Sequence, residues 1–359
     1  MYRYVIRRLI AAVPTIIIIS ILVSLLIRLQ PGSVLMANLE EGGSYTPEEL
    51  DLMAYNLGIT RTWPHQYQCW VLGDLLNWAS SPTVQDPDSV VPKDGSILSI
   101  GFIGEKPLLG ECDGGGLIRA DFGQSLDSRR DILEQIGKRA RVSIQLALMA
   151  IATAIAIALP LGIIAAVKQD SWIDYISRFF SVLGLSVPDF FTATVLLYIL
   201  SVWVGWTPPF GYFSLWSDTW TNLQAYTFPA LIVGYRLSAI SARMTRSAML
   251  EVLRQDYVRT ARAKGLNERP VILKHSLRNA LIPVVTIMGT QLSFLLGGIV
   301  LIEVVFSLPG LGSLLLNAVE VRDYPVVQGV VVLTSVTFIV MNLLVDLSYA
   351  LIDPRIRYS

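Results

Sequence analysis

The sequence predicts an all-α polytopic membrane protein with six transmembrane helices and a large extracytoplasmic loop between the first and the second. Three observations predict it. The chain has 359 residues, of which 53% are hydrophobic and 16% charged, whereas a soluble domain carries about 25% charged residues. Its apolar residues fall into runs long enough to cross a hydrocarbon core, which takes roughly 20 residues in a helix. Its Lys and Arg residues alternate between crowded and nearly empty connections, as the positive-inside rule requires.

The spans are expected near residues 9–29, 142–167, 176–205, 228–249, 281–306 and 326–350. The first follows Arg3, Arg7 and Arg8 and ends in Arg28-Leu29-Gln30-Pro31 with no small-residue cleavage site, so it is expected to stay as an anchor. The fourth is the weakest, because Arg236, Arg243 and Arg246 interrupt it. Arg236 is expected to face a cavity or the bundle interior, since an arginine in lipid is costly.

Lys168 and Arg178 flank the turn between spans two and three, and nine Lys and Arg residues from Arg243 to Arg278 sit between spans four and five. Residues 206–227 contain no Lys or Arg, and residues 307–325 contain only Arg322. Both termini are therefore expected in the cytoplasm. The chain is then organised as 1–29, amino terminus and first span; 30–140, outside loop with an irregular Pro- and Gly-rich insert near 77–116; 141–350, a five-helix core with a cytoplasmic loop at 250–280; and 351–359, a tail.

In the outside loop, Trp63, Tyr67, Trp70, Leu72, Leu75 and Leu76 fit one face of an amphipathic helix. Cys69 and Cys112, the only cysteines, both lie in this loop. An oxidising exterior permits a disulfide between them, worth about 4 kcal/mol by loop-closure entropy. The free-thiol reading stays open.

The segment from Gln255 to Pro283 is the most informative. Asp256 is placed to cap a short helix, and Gly265 to end it in the left-handed conformation. Ala261 and Ala263 would keep its surface thin for a close partner. Asn267 would cap a second helix, and Pro283 would sit in the opening turn of span five. A partner gripping such a helix would move both adjoining spans.

This segment resembles the cytoplasmic loop of bacterial ABC importer permeases, whose pattern is Glu-Ala-Ala, three residues, Gly, then Ile-x-Leu-Pro. Here Arg259-Thr260-Ala261-Arg262-Ala263-Lys264-Gly265 takes that place, with Ala280-Leu281-Ile282-Pro283 after it. Arg259 at the Glu position and the longer gap are similar to the oligopeptide, dipeptide and nickel branch. So are Leu29-Gln30-Pro31-Gly32, Asp121-Phe122-Gly123-Gln124-Ser125, Ser186-Val187-Pro188-Asp189-Phe190, Phe306-Ser307-Leu308-Pro309-Gly310-Leu311-Gly312 and Arg322-Asp323-Tyr324-Pro325. The insert near 77–116 departs from that branch.

The resemblance implies a type I ABC importer-like permease core in the bacterial inner membrane, working by alternating access. It implies a second homologous permease subunit, two cytoplasmic ATPases and an extracytoplasmic binding protein. ATP and Mg would belong to the ATPases, with no cofactor or metal in this chain. Indeed Gly137-Lys138 is followed by Arg139, so no phosphate-binding G-x-x-x-x-G-K-[ST] loop is present. The implied coupling residues are Asp256, Tyr257, Arg259, Thr260, Ala261, Arg262, Ala263 and Gly265.

Ser186, Pro188 and Asp189 are the candidates for the translocation path, and Arg322 and Asp323 for docking the binding protein, against a plain surface turn. Peptides are the expected cargo, with nickel complexes, glutathione and oligosaccharides as alternatives within the branch. The partners are these proteins and the bilayer, with no nucleic acid. An intramembrane protease does not fit, because His65 and His275 both lie outside the spans. A passive channel or membrane scaffold stays as the reading of another class.

Overall fold

In the computed structural model the described residues are 2–29, 63–73, 116–211, 213, 216 and 218–352. Among them the only strand-like feature is an isolated antiparallel bridge between Gln124 and Asp131, and helices make up the rest of the regular structure. They are α1 (Tyr2–Leu29), α2 (Trp63–Leu72), α3 (Ile132–Val167), α4 (Trp172–Ser186), α5 (Asp189–Ile199), α6 (Thr219–Leu253), α7 (Asp256–Ala263), α8 (Leu277–Leu296), α9 (Val300–Val305), α10 (Leu311–Glu320) and α11 (Tyr324–Ile352).

Four stretches are each long and apolar enough to cross a membrane: 5–26, 132–167, 268–296 and 324–348. A fifth is obtained when α4 and α5 with its π-helical end at Val204 are taken together. The count of six is therefore not reached on hydropathy alone. The 35 residues of α6 would extend about 52 Å, but its arginines lower its apolar windows.

Several expected boundaries move. Span three, expected as one run over 176–205, is two helices bent by 95°. Pro188 is the cause: it disfavours helical geometry in Val187, which takes φ −101° and ψ 125°. Span five, expected to reach 306, stops at Leu296, and Gly297 and Gly298 separate it from α9. It also begins early, through Glu268–Pro270 and a π-helical turn Val271–Ser276, so Pro283 lies inside α8 and not in an opening turn. Span two begins at Ile132, where buried Ile132 and Ile136 anchor the added turns and an exposed Lys138–Glu134 pair lies beside them.

The chain divides into two compact units. The first comprises Met1–Pro14, Arg139–Leu314 and Thr334–Ser359. Its core joins α3, α6 and α8 along their length: Val142, Leu146 and Ala150 meet Tyr226, Ala230 and Val233 at one level, and Ala158, Ala242, Val284 and Met288 meet at another. Asp346 on α11 pairs with Arg8 on α1 at 2.6 Å.

The close approach of α3 and α6 depends on small residues, which let membrane helices gain van der Waals contact. A Cβ on Gly234 would stand 2.6 Å from the Thr153 Cβ and 2.7 Å from the Ala150 carbonyl oxygen. Neither atom can rotate away. Gly234→Ala is therefore expected to destabilise the protein by a net ~1–3 kcal/mol, overpacking outweighing the better helix propensity of alanine. A thermal-shift measurement on the purified complex checks this, and an unchanged midpoint would refute it.

The second unit comprises Thr15–Lys138 and Leu315–Leu333. Here α2 rests on the later part of α1: the Tyr67 hydroxyl lies 2.7 Å from the Ser20 hydroxyl, and the Trp63 indole donates to Ser24 at 3.0 Å. The expected aromatic helix is thus present, although Leu75 and Leu76 lie outside the described residues. The insert near 77–116 also lies outside them.

Candidate functional site

The connection between α6 and α8 carries α7, whose two faces differ. Val258 and Ala261 are buried against Val271, with Val252 and Leu253 alongside. This i, i+3 pair is what seats the helix. Asp256, Tyr257, Arg259, Thr260, Arg262 and Ala263 are all exposed. Ala261 therefore serves the seat and not the partner face, a correction to its expected role. Its spacing from Val258 was the signal for this.

The N-cap is Gln255 and not Asp256, and Asp256 occupies the first turn, where a carboxylate still favours the positive end of the helix dipole. Asn267 does occupy the next N-cap, without a side-chain hydrogen bond. The C-terminus is a Schellman motif. The Gly265 amide donates to the Arg262 carbonyl at 2.9 Å and the Leu266 amide to Ala261 at 3.4 Å, with Gly265 at φ 78°. Nothing would obstruct a Cβ on Gly265, so the glycine answers to backbone conformation alone.

Two polar links tie α7 to the chain between Glu268 and Asn279. Arg262 Nε and Nη2 donate to the Glu268 carboxylate at 2.9 and 3.3 Å. The Tyr257 hydroxyl accepts from the Asn279 amide at 2.8 Å and donates to the His275 carbonyl at 3.4 Å. α7 thus touches the end of α6 at Leu253 and the start of α8 at Asn279.

The three expected path residues come together. Ser186, Pro188 and Asp189 line a cavity of about 390 Å³, with Arg236 and residues 299–302 opposite. The cavity opens where two helices break, between α4 and α5 and between α8 and α9. Arg236 Nη1 donates to Asp189 Oδ2 at 2.8 Å, so the expected inward-facing arginine has a partner on the helix that the proline break creates.

A second ion cluster, absent from the expected site, joins α4 to α6. Asp174 is fully buried. Its oxygens accept from Arg246 Nε and Nη2 at 2.7 Å each and from Arg178 at 3.2 and 2.7 Å. The Asp170 amide adds a fifth bond at 3.1 Å. The i, i+4 spacing of Asp174 and Arg178 was legible in the sequence, and the contact with Arg246 was not.

The two outer-turn candidates do not stay on the surface together. Asp323 is 3% exposed, and its carboxylate accepts from the Ser125 hydroxyl at 2.5 Å and the Leu126 amide at 3.2 Å. It holds the 121–131 loop in place, which removes it as a docking residue. Arg322 beside it takes φ 58°. Glu303 is likewise buried and accepts from the Ser143 hydroxyl at 2.7 Å and the Ser313 amide at 2.9 Å, close against Gly310. Cys69 lies on α2, and Cys112 lies outside the described residues.

A bundle of long apolar helices, with a short exposed helix seated between two of them and a cavity at two helix breaks, fits a membrane permease. Residues 158–358 match the model of the binding-protein-dependent transport system inner membrane component, and residues 1–84 match its N-terminal counterpart. The chain belongs to this family of permeases and is the permease component of an ABC importer. It is 38% identical over 359 residues to the glutathione transport system permease protein GsiC of Pectobacterium atrosepticum, covering 100% of both chains. The GsiC proteins of Escherichia coli K12 and of Shigella dysenteriae are each 37% identical to it over the same full lengths.

Proposed function

We propose that this chain forms half of the translocation pathway of an importer for small peptides, glutathione among them, in the bacterial inner membrane. The observation that carries the reading is α7, a helix seated by Val258 and Ala261 whose other side chains face outward. A second, homologous permease would complete the path. Two cytoplasmic ATPases would grip the α7 pair and supply ATP and Mg, and an extracytoplasmic binding protein would deliver cargo. Full-length similarity to relatives named as glutathione permeases makes that tripeptide the first cargo to test.

Closure of the ATPases would press on Asp256, Tyr257, Arg259, Thr260, Arg262 and Ala263. The push would pass through the Val258–Val271 seat into α8 and through Leu253 into α6. In this reading α6 is the sixth span, because carboxylates on α4 and α5 partner Arg236 and Arg246. Both termini would then be cytoplasmic and residues 30–140 outside, where Cys69 and Cys112 would pair. Arg322 is the remaining candidate for docking the binding protein.

The test is affinity purification of the chain into lipid nanodiscs, with its companions identified by mass spectrometry. ATP hydrolysis is then measured with binding protein alone and with binding protein plus glutathione, dipeptides or longer peptides. Co-purification of a second permease and ATPase chains, with hydrolysis stimulated by a loaded binding protein, is the expected outcome. A chain that purifies alone and supports solute flux without ATP would instead make it a channel.

A further inference from the structure

Two arginines on α6 are held in opposite ways. The Arg246 side chain is 19% exposed and its fork is closed on Asp174 by two bonds. The Arg236 side chain is 52% exposed, facing the cavity, and is held by a single bond from Nη1 to Asp189. A guanidinium has five N–H donors in a planar fork matched to a carboxylate. One of the Arg236 donors is engaged, on Asp189. An arginine this far along an apolar helix is costly unless it serves a function or is fully paired, and Arg236 is not fully paired.

We infer that Arg236 is a carboxylate-binding group of the pathway, which Asp189 holds while the path is empty and the terminal carboxylate of a peptide takes over in transit. The inference rests on the importer reading and names the part of the cargo recognised. The surroundings suit an anion. Asp189 is the first residue of α5, so the positive end of that helix borders the cavity. Glu303, the next residue after the 299–302 lining, is turned away into its bonds with Ser143 and Ser313. Residues 299–302 supply an apolar wall for the cargo's side chains. The volume of about 390 Å³ lies in the range of about 300–1,000 Å³ common for small-molecule sites. The exchange swaps one carboxylate for another on Arg236, and return of Asp189 displaces the cargo, so the hold is transient.

The experiment compares uptake of a peptide with a free C-terminus and its C-amidated form into proteoliposomes holding the full complex. The same binding protein is used throughout, so its own preference cancels between variants. Wild type should favour the free acid, and Arg236→Gln should lower that preference roughly ten-fold, the worth of a charge-assisted hydrogen bond. Arg236→Lys, which keeps the charge without the fork, should fall between, and it remains informative if the glutamine variant does not assemble. Asp189→Asn should retain the preference. An Arg236→Gln or Arg236→Lys complex that keeps the full wild-type preference overturns the inference and leaves the importer intact. A wild-type complex that moves neither peptide overturns both.

Discussion

Asp174→Asn is expected to be the most destabilising single exchange in the bundle. Asparagine keeps the shape but removes the charge that faces two guanidinium groups, and it cannot accept the same bonds at both positions. Breaking a buried pair costs about 3–5 kcal/mol, because the remaining charge is left uncompensated. Arg178 is 46% exposed and can turn to water, while Arg246 at 19% cannot. The loss should therefore sit toward the lower end, at about 3 kcal/mol. The comparison is Asp189→Asn, whose carboxylate makes one bond to a half-exposed arginine and whose loss should cost under about 1 kcal/mol. Thermal denaturation of the purified complex reads both. Equal midpoints for the two variants would mean that the Asp174 cluster does not secure α4 to α6.

The second large effect is on transport. Gly265→Pro is expected to abolish coupling while the spans stay folded. Proline fixes φ near −65°, whereas Gly265 sits at 78° and its amide donates to Arg262. The Schellman end of α7 cannot survive that change, which costs about 3 kcal/mol or more. At about 1.4 kcal/mol per factor of ten, the competent arrangement falls roughly 100-fold. Gly265→Ala meets no neighbouring atom and should cost only about 1 kcal/mol for the left-handed conformation. Uptake should then fall in the order Gly, Ala, Pro, with basal ATP hydrolysis retained. A proline variant that transports as wild type would remove α7 from the coupling path.

Much of the site was readable in the sequence because its signals are local. The α7 helix announces itself through an acidic first turn, a basic last turn and a glycine at the one place that needs positive φ. Pro188 marks the break in span three, since a proline acts on the residue before it, although the span was expected as one run. The boundaries that moved did so where local rules compete. Buried Ile132 and Ile136 carry α3 past its continuous apolar stretch, and Gly297-Gly298 ends α8 inside an otherwise apolar run. Asp323 was misread because its polarity and its place beside Arg322 look like a surface turn. Only Ser125, distant in sequence, reveals that its carboxylate is spent inside.

By itself the sequence determined the class of protein, most of the long helices and the short helix at 256–263, because hydrophobic length, charge placement and turn chemistry act over a few residues and need no partner in space. The tertiary structure decided which charges stay free to act. Arg236 and Arg246 stand on one helix and look alike in sequence. Asp174 closes the fork of one, and Asp189 leaves the other open to a cavity. Ala261 and Ala263 differ in the same way, one in the seat and one outside. Such outcomes depend on distances between helices that only packing sets, and in a medium of low dielectric those distances determine whether an ion pair anchors the fold or remains available to a ligand.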